Sequence, residues 1–242
     1  MVIEINVDGH IVKESESERL LGVIVNNVMT WEHHLYGNDE HKGLISKLST
    51  RANIIWRLSR MMPKARLKMI AEGIFFSLLN YCIEIYGNVW GLALYDDEQR
   101  NSIAFTRDDN SKLQILVNKV MRAITGLAMD TPVTELIKKS GQLSVHQRTA
   151  LYTICSVHKT FQNQKPDYSY SRLQTNPTQV NVRSAARSRV DCKLSISRGS
   201  FYYRGCKLYN SLPDNLVQAI NQSTFKQGAK QWVRMNIPVL PP

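Results

Sequence analysis

A mainly α chain with a small N-terminal antiparallel β element, α+β in class, is predicted by three features of the sequence. Short alternating segments surround an Asp8-Gly9 step near the start. Apolar residues then recur at helical spacing, with caps and stops between them, as far as about residue 164. Beyond it, proline, polar residues, cations and rings replace that periodicity, which predicts an irregular or extended basic C-terminal region. Hence 1–30 reads as the β element, 31–164 as a helical bundle, 165–179 as a linker and 180–242 as the basic end.

Residues 2–7 alternate, and so do those around His10 to Val12. Asp8-Gly9 between them is a strong two-residue hairpin signal, because both turn positions need a positive φ. Leu20 to Val25 is an apolar run of strand length and predicts a third strand, with Glu14 to Glu18 as a charged loop before it.

Leu44, Leu48, Ala52, Ile55 and Met62 follow a helical period. Pro63 interrupts and is placed to start the next helix. Residues 64–86 carry a wide apolar arc of Leu67, Ile70, Ile74, Phe75, Leu78, Cys82 and Ile85, the pattern of a central, buried helix. Gly73 weakens it locally, which suggests close packing there. Residues 92–110 read as a long polar loop. Ser111 then caps a helix to Thr125 that Gly126 stops. In that helix Leu113, Val117, Val120 and Ile124 share one face, and Lys112, Lys119 and Arg122 share the other. Thr131-Pro132 starts a short helix ended by Gly141. Ser144-x-x-Gln147 is a capping box opening a helix to about Gln164. Residues 180–209 look extended, and Leu212-Pro213 begins a helical pair at about 214–220 and 224–235.

The chain has 242 residues and a net charge of +11. Residues 1–40 hold two basic and eight acidic side chains, whereas 131–242 hold sixteen basic and four acidic. This asymmetry favours a polyanionic partner, with nucleic acid ahead of a membrane surface. The tract from Arg198 to Pro213 sets Arg198, Arg204 and Lys207 among Phe201, Tyr202, Tyr203 and Tyr209. Cations neutralise phosphates, while rings stack on bases or cover a core, and both roles are open to these tyrosines. Lys47, Arg51, Arg57, Arg60, Lys64, Arg66 and Lys68 crowd a helix–proline–helix corner, where phosphate contact and plain solubility fit equally well.

The signals for other chemistries are weak. Cys82, Cys155, Cys192 and Cys206 fit no zinc or disulfide pattern, as expected of thiols in a reducing compartment. No signal peptide opens the chain, so it is expected to be intracellular, nuclear or cytoplasmic, and not secreted. Tyr95-Asp96-Asp97 lacks the spacer of a Tyr-x-Asp-Asp metal turn, and Asp108-Asp109 is no better placed. His33, His34 and His41 lie near carboxylates but without ligand spacing, and read as surface residues. No catalytic residue and no metal site is assigned.

An ordered series of short motifs adds to this reading. It comprises Leu21-Gly22-Val23, Met29-Thr30-Trp31 with His34, Tyr81-Cys82 and Val89-Trp90-Gly91. It continues with Lys112-Leu113-Gln114, Arg122-Ala123-Ile124-Thr125-Gly126, Thr131-Pro132 and Leu143-Ser144-Val145. Ser200-Phe201 with Tyr203-Arg204-Gly205, Leu208 to Pro213 and Phe225-Lys226 close it. The order resembles the region that follows the polymerase core in LINE-type (non-LTR) retrotransposon reverse transcriptases. Tyr209 stands where that family usually has tryptophan, and 92–110 is longer than its common loop.

The resemblance implies that 1–30 is the end of a palm, with Leu21, Gly22 and Val23 in a primer-grip-like position, and that 31–164 is a thumb. A thumb holds a template–primer duplex by its backbone. RNA and DNA are then the expected partners, together with a polymerase core carrying the catalytic aspartates, and no membrane. No cofactor is expected in this chain, although Mg²⁺ is expected for the intact parent polymerase. The expected contacts are Lys47, Arg51, Arg57, Arg60, Lys64, Arg66, Lys68, Lys112, Lys119, Arg122, Arg198, Tyr202, Tyr203, Arg204 and Lys207. A helical protein-interaction module and a truncated, non-functional retroelement copy are the competing readings.

Overall fold

The computed structural model describes residues 4–28, 30–87, 107–176, 189–192, 201–219 and 221–239. Its architecture is mainly α, with short antiparallel hairpins, the first of them at the N-terminus.

Strands β1 (Glu4–Val7) and β2 (His10–Lys13) pair across Asp8-Gly9, whose φ angles are 50° and 85°. The Asn6 carboxamide accepts from the Gly9 amide and helps close the turn. The expected third strand is in fact a second hairpin. Strands β3 (Ser17–Leu20) and β4 (Val23–Asn26) pair across Leu21-Gly22, at φ 49° and 89°. The acidic segment supplies β3, and the apolar run supplies mainly β4. Val23 and Ile24 are buried, whereas Leu20 and Leu21 are exposed, so the turn divides the run into a core half and a tip.

The first core is helical. Helix α1 (Glu32–Tyr36) packs on β4, and helix α2 (Leu44–Leu58) buries Leu44, Leu48, Ala52 and Ile55 along one stripe. Gly43 precedes α2 where a Cβ would meet the Tyr36 carbonyl carbon at 2.3 Å, so only glycine admits this approach. Beyond Pro63, the single long helix expected over 64–86 is divided. Helix α3 (Lys64–Ala71) runs into a π-helical turn (Glu72–Phe76) and then α4 (Ser77–Asn80). The chain breaks at Tyr81-Cys82, where Cys82 has φ 58°, before α5 (Ile83–Tyr86).

Tyr86 explains how that break is tolerated. Its buried hydroxyl shares its one proton between the carbonyl oxygens of Leu79 and Tyr81, which the interrupted ladder leaves without a helical donor. Gly73 does not mark close packing, since a Cβ there would meet nothing within 4 Å. It lies instead within the π turn.

Helix α6 (Arg107–Thr125) starts earlier than its sequence signals imply. Residues 107–110 belong to it rather than to a loop, with Asp108 and Asp109 in a first turn where carboxylates suit the helix dipole. Leu113, Val117, Val120 and Ile124 are all buried, as the periodicity requires. Helix α7 (Val133–Ser140) follows Pro132 and stops at Gly141, φ 69°. Helix α8 (Val145–Asn163) carries the expected capping box, with both the Ser144 and the Gln147 hydrogen bonds formed.

Helix α8 is shared by two cores. Val145 at its start packs with the first, whereas Ala150, Leu151, Ile154 and Val157 form the second with Leu208, Tyr209, Phe225, Ala229 and Val233. The expected linker contains helix α9 (Asp167–Tyr170) and strand β5 (Leu173–Asn176), which pairs with β6 (Arg189–Cys192). The extended reading of 180–209 fails at its end, because Phe201–Asn210 is helix α10. Its rings raise β propensity, but Gly205, Leu208 and Tyr209 fall on one helical face against α8, and packing overrides propensity. Helices α11 (Asp214–Val217) and α12 (Gln222–Asn236) form the expected final pair.

Candidate nucleic-acid interface

The corner around Pro63 separates its cations into two kinds. Lys64 Nζ donates to the Ala123 carbonyl at 3.0 Å, and Lys68 Nζ to the Ser140 carbonyl at 3.1 Å. These acceptors lie in the last turns of α6 and α7, where free carbonyls and the negative dipole end favour an ammonium group. The two lysines, four residues apart, therefore cap two successive helices. Arg57, Arg60 and Arg66 are exposed, and their guanidinium groups have no hydrogen-bond or ion-pair partner among the described residues.

Lys47 and Arg51 lie on the other side of α2, half-buried. Arg51 Nη1 donates to the Ile74 carbonyl in the π turn. Arg19 of β3 joins them, a residue that spacing along one helix cannot bring in. Burial first, then Arg19 and Arg51, lower the pKa of the Lys47 ammonium below its ordinary value. No carboxylate among the described residues pairs with these three cations. Leu21 stands at the tip of the same hairpin, 83 % exposed, while Val23 is buried behind it. Tyr81 donates its hydroxyl to the Leu21 carbonyl, and its ring covers Gly22.

The basic face of α6 is dispersed among neighbours. Lys112 pairs with Asp108 at 2.7 Å and donates to the Tyr36 hydroxyl at 2.9 Å, contacts that raise its ammonium pKa. Lys119 donates to Asn53 Oδ1 at 2.6 Å. Arg122 reaches the carbonyls of Ala128 and Thr131, each at 3.4 Å.

The C-terminal tract turns largely inward. Arg204, 2 % exposed, donates to the carbonyls of Gly87 and Ile85. Arg204 is thus an internal tie and not the expected surface contact, because a buried guanidinium cannot reach a phosphate backbone. Tyr209 is buried too, with His158 Nδ1 at 3.1 Å from its hydroxyl and Phe161 stacked on its ring. Tyr202 meets Ser169 Oγ at 3.1 Å, and the Arg172 guanidinium lies over its ring. Tyr203 and Lys207 are half-buried, the ammonium 5.6 Å from the ring centroid. Arg198 lies outside the described residues, as do Val89-Trp90-Gly91 and Tyr95-Asp96-Asp97.

The candidate metal ligands take other roles. His34 is a core residue rather than a surface one. Its Nδ1 faces the Ile24 amide, its ring packs on Tyr86, and burial, then Lys47, bring its pKa down to about 4. Asp109 accepts a hydrogen bond from Tyr36, and Asp108 is held by Lys112. Among the described residues no group of three or more His, Cys, Asp or Glu side chains could hold a metal ion. Nor is any described helix long and apolar enough to cross a membrane.

Some cations escaped the sequence reading. Lys226, Lys230 and Arg234 recur every four residues along α12, beside the buried row of Phe225, Ala229 and Val233. That period was a usable signal. Arg19 carried none, being a single cation in an acidic segment. No family model, curated protein or solved structure matches the chain.

Proposed function

We propose that this chain holds nucleic acid by its phosphate backbone, as the thumb-like C-terminal part of a LINE-type reverse transcriptase. The observation that carries the reading is the cluster of Arg19, Lys47 and Arg51, three cations from two elements with no described carboxylate paired to them. Like charges held near one another without a paired carboxylate are unfavourable in the free protein. A phosphate bound there relieves the repulsion. Arg57, Arg60 and Arg66, exposed around the Pro63 corner, supply further cations for phosphate. These groups contact charge rather than base edges, which suits sequence-independent holding of a duplex.

The test is binding of an RNA–DNA duplex across a salt series. The logarithm of affinity should fall linearly with the logarithm of salt, by a slope of about 0.9 for each phosphate neutralised. Charge reversal at Arg19 and Lys47 should weaken binding more than reversal of Glu14 and Glu16, which are exposed on the preceding loop. Absent or salt-insensitive binding sinks the reading.

One observation favours a protein-interaction module instead. Met61, Met69, Met129 and Met235 are all at least 70 % exposed, and exposed methionines suit adaptable protein surfaces. Under that reading, replacing Met61 and Met69 with glutamine abolishes capture of a partner while the salt slope with duplex is absent.

A further inference from the structure

Two rows of cations, far apart in sequence, meet at the C-terminal end of α7. Lys64 and Lys68 form one row on α3, and Lys226, Lys230 and Arg234 form the other on α12. Residues four apart on a helix lie on one side, about 6 Å along the axis. The rows join at two successive carbonyls. Lys68 Nζ donates to the Ser140 oxygen at 3.1 Å, and Arg234 Nη2 to the Gly141 oxygen at 2.6 Å. Lys68 belongs to the helices of the first core, while α12 packs in the second.

Capping alone does not account for this convergence. A helix end presents a partial negative charge of about half a unit, which two full cations exceed. The Lys230 ammonium makes no hydrogen bond among the described residues, yet it lies close enough to Arg234, Arg148 and Lys68 to feel their charge. Arg148 adds a buried guanidinium, held by Leu143, Gln142 and Asn80. The carboxylate that opposes these cations is Glu72, which already accepts from Gln142 at 2.6 Å. Lysine carries three donors and arginine five, so the two caps keep most of theirs for another acceptor. Lys226 ends the row over the Tyr152 ring, 5.4 Å from its centroid, an aromatic edge beside the cation track.

We infer that the row of Lys226, Lys230 and Arg234, continued by Lys68 across the α7 terminus, is a second backbone-phosphate track for the same nucleic acid. The inference rests on the nucleic-acid reading above and adds a surface separate from the Arg19–Lys47–Arg51 cluster. Through it, α12 carries the polyanion from the first helical core onto the second.

The experiment compares wild type with Lys226→Gln/Lys230→Gln on an RNA–DNA duplex over a salt series, with thermal unfolding as the control for fold. Arg234→Gln is kept apart, since losing its bond to Gly141 can destabilise α7. The expected result is a salt slope smaller by about 2 in the double variant, with an unchanged melting temperature. Wild-type binding with an unchanged slope in the variant overturns this inference and leaves the Arg19 cluster standing. No wild-type binding overturns both. A polyglutamate peptide that displaces the duplex from wild type but not from the variant supports a phosphate-like polyanion track. Polyglutamate bound tightly where duplex is not overturns it in favour of an acidic protein partner.

Discussion

Arg204 of α10 donates to the main-chain carbonyl of Gly87, 117 residues earlier, and so ties the end of the α5 segment to the second core. The guanidinium is 2 % exposed and also reaches the Ile85 carbonyl at 3.4 Å. Its planar fork matches two nearby acceptors in a way that a lysine ammonium does not.

Truncation at this position is expected to act on stability rather than on binding. Arg204→Ala leaves buried carbonyl oxygens without their donor, at a cost of about 2–4 kcal/mol. Arg204→Lys should recover less than half of that. Urea unfolding measures both, and duplex affinity at a temperature where each variant is folded should match wild type.

Two glycines should respond to alanine in opposite directions. At Gly205 a Cβ would lie 2.6 Å from Val157 Cγ2, so Gly205→Ala forces α10 away from α8 and costs about 1–3 kcal/mol. At Gly73 a Cβ meets nothing, so Gly73→Ala should gain about 0.5–1 kcal/mol through lower unfolded-chain entropy. Thermal unfolding of the two single variants gives the comparison.

Acid should destabilise the fold through its buried imidazoles. His34 and His146 have pKa values lowered to about 4 from an ordinary 6.5, in both cases chiefly by burial. The unfolded chain therefore binds more protons between these limits. Stability is intact above pH 6.5 and falls as pH drops towards 4, by a few kcal/mol in all. His146→Asn removes one titrating ring, and the loss over this range, followed by urea midpoints, should become about half as steep.

Neighbouring cations at the Pro63 corner should separate stability from binding. Lys64 caps α6 at Ala123, so Lys64→Gln is expected to cost about 0.5–1 kcal/mol with a minor change in duplex affinity. Arg60 is exposed and its guanidinium has no described partner, so Arg60→Gln should leave the melting temperature unchanged and lower the salt slope by about 1. Equal effects of the two variants in either assay would contradict the separate roles given to Lys64 and Arg60.

The elements that the sequence determined by itself are those closed by short-range contacts. Asp8-Gly9 makes its hairpin, Ser144 and Gln147 complete their capping box, and Gly141 ends α7, each through bonds within a few residues. The mainly α class and the buried stripes of α2 and α6 follow from periodicity on the same scale. The fate of each cation could not be read this way. A charge at position 64 or 204 looks like one at 57 or 60 until Ala123 or Gly87 is brought beside it. The same holds for α10, whose ring-rich sequence is made helical by α8, and for the break at Cys82, made tolerable by Tyr86. Local hydrogen bonds and periodicity are properties of neighbouring residues. Which cation caps a helix, which is buried and which faces solvent depends on acceptors far along the chain, and only tertiary packing brings these together.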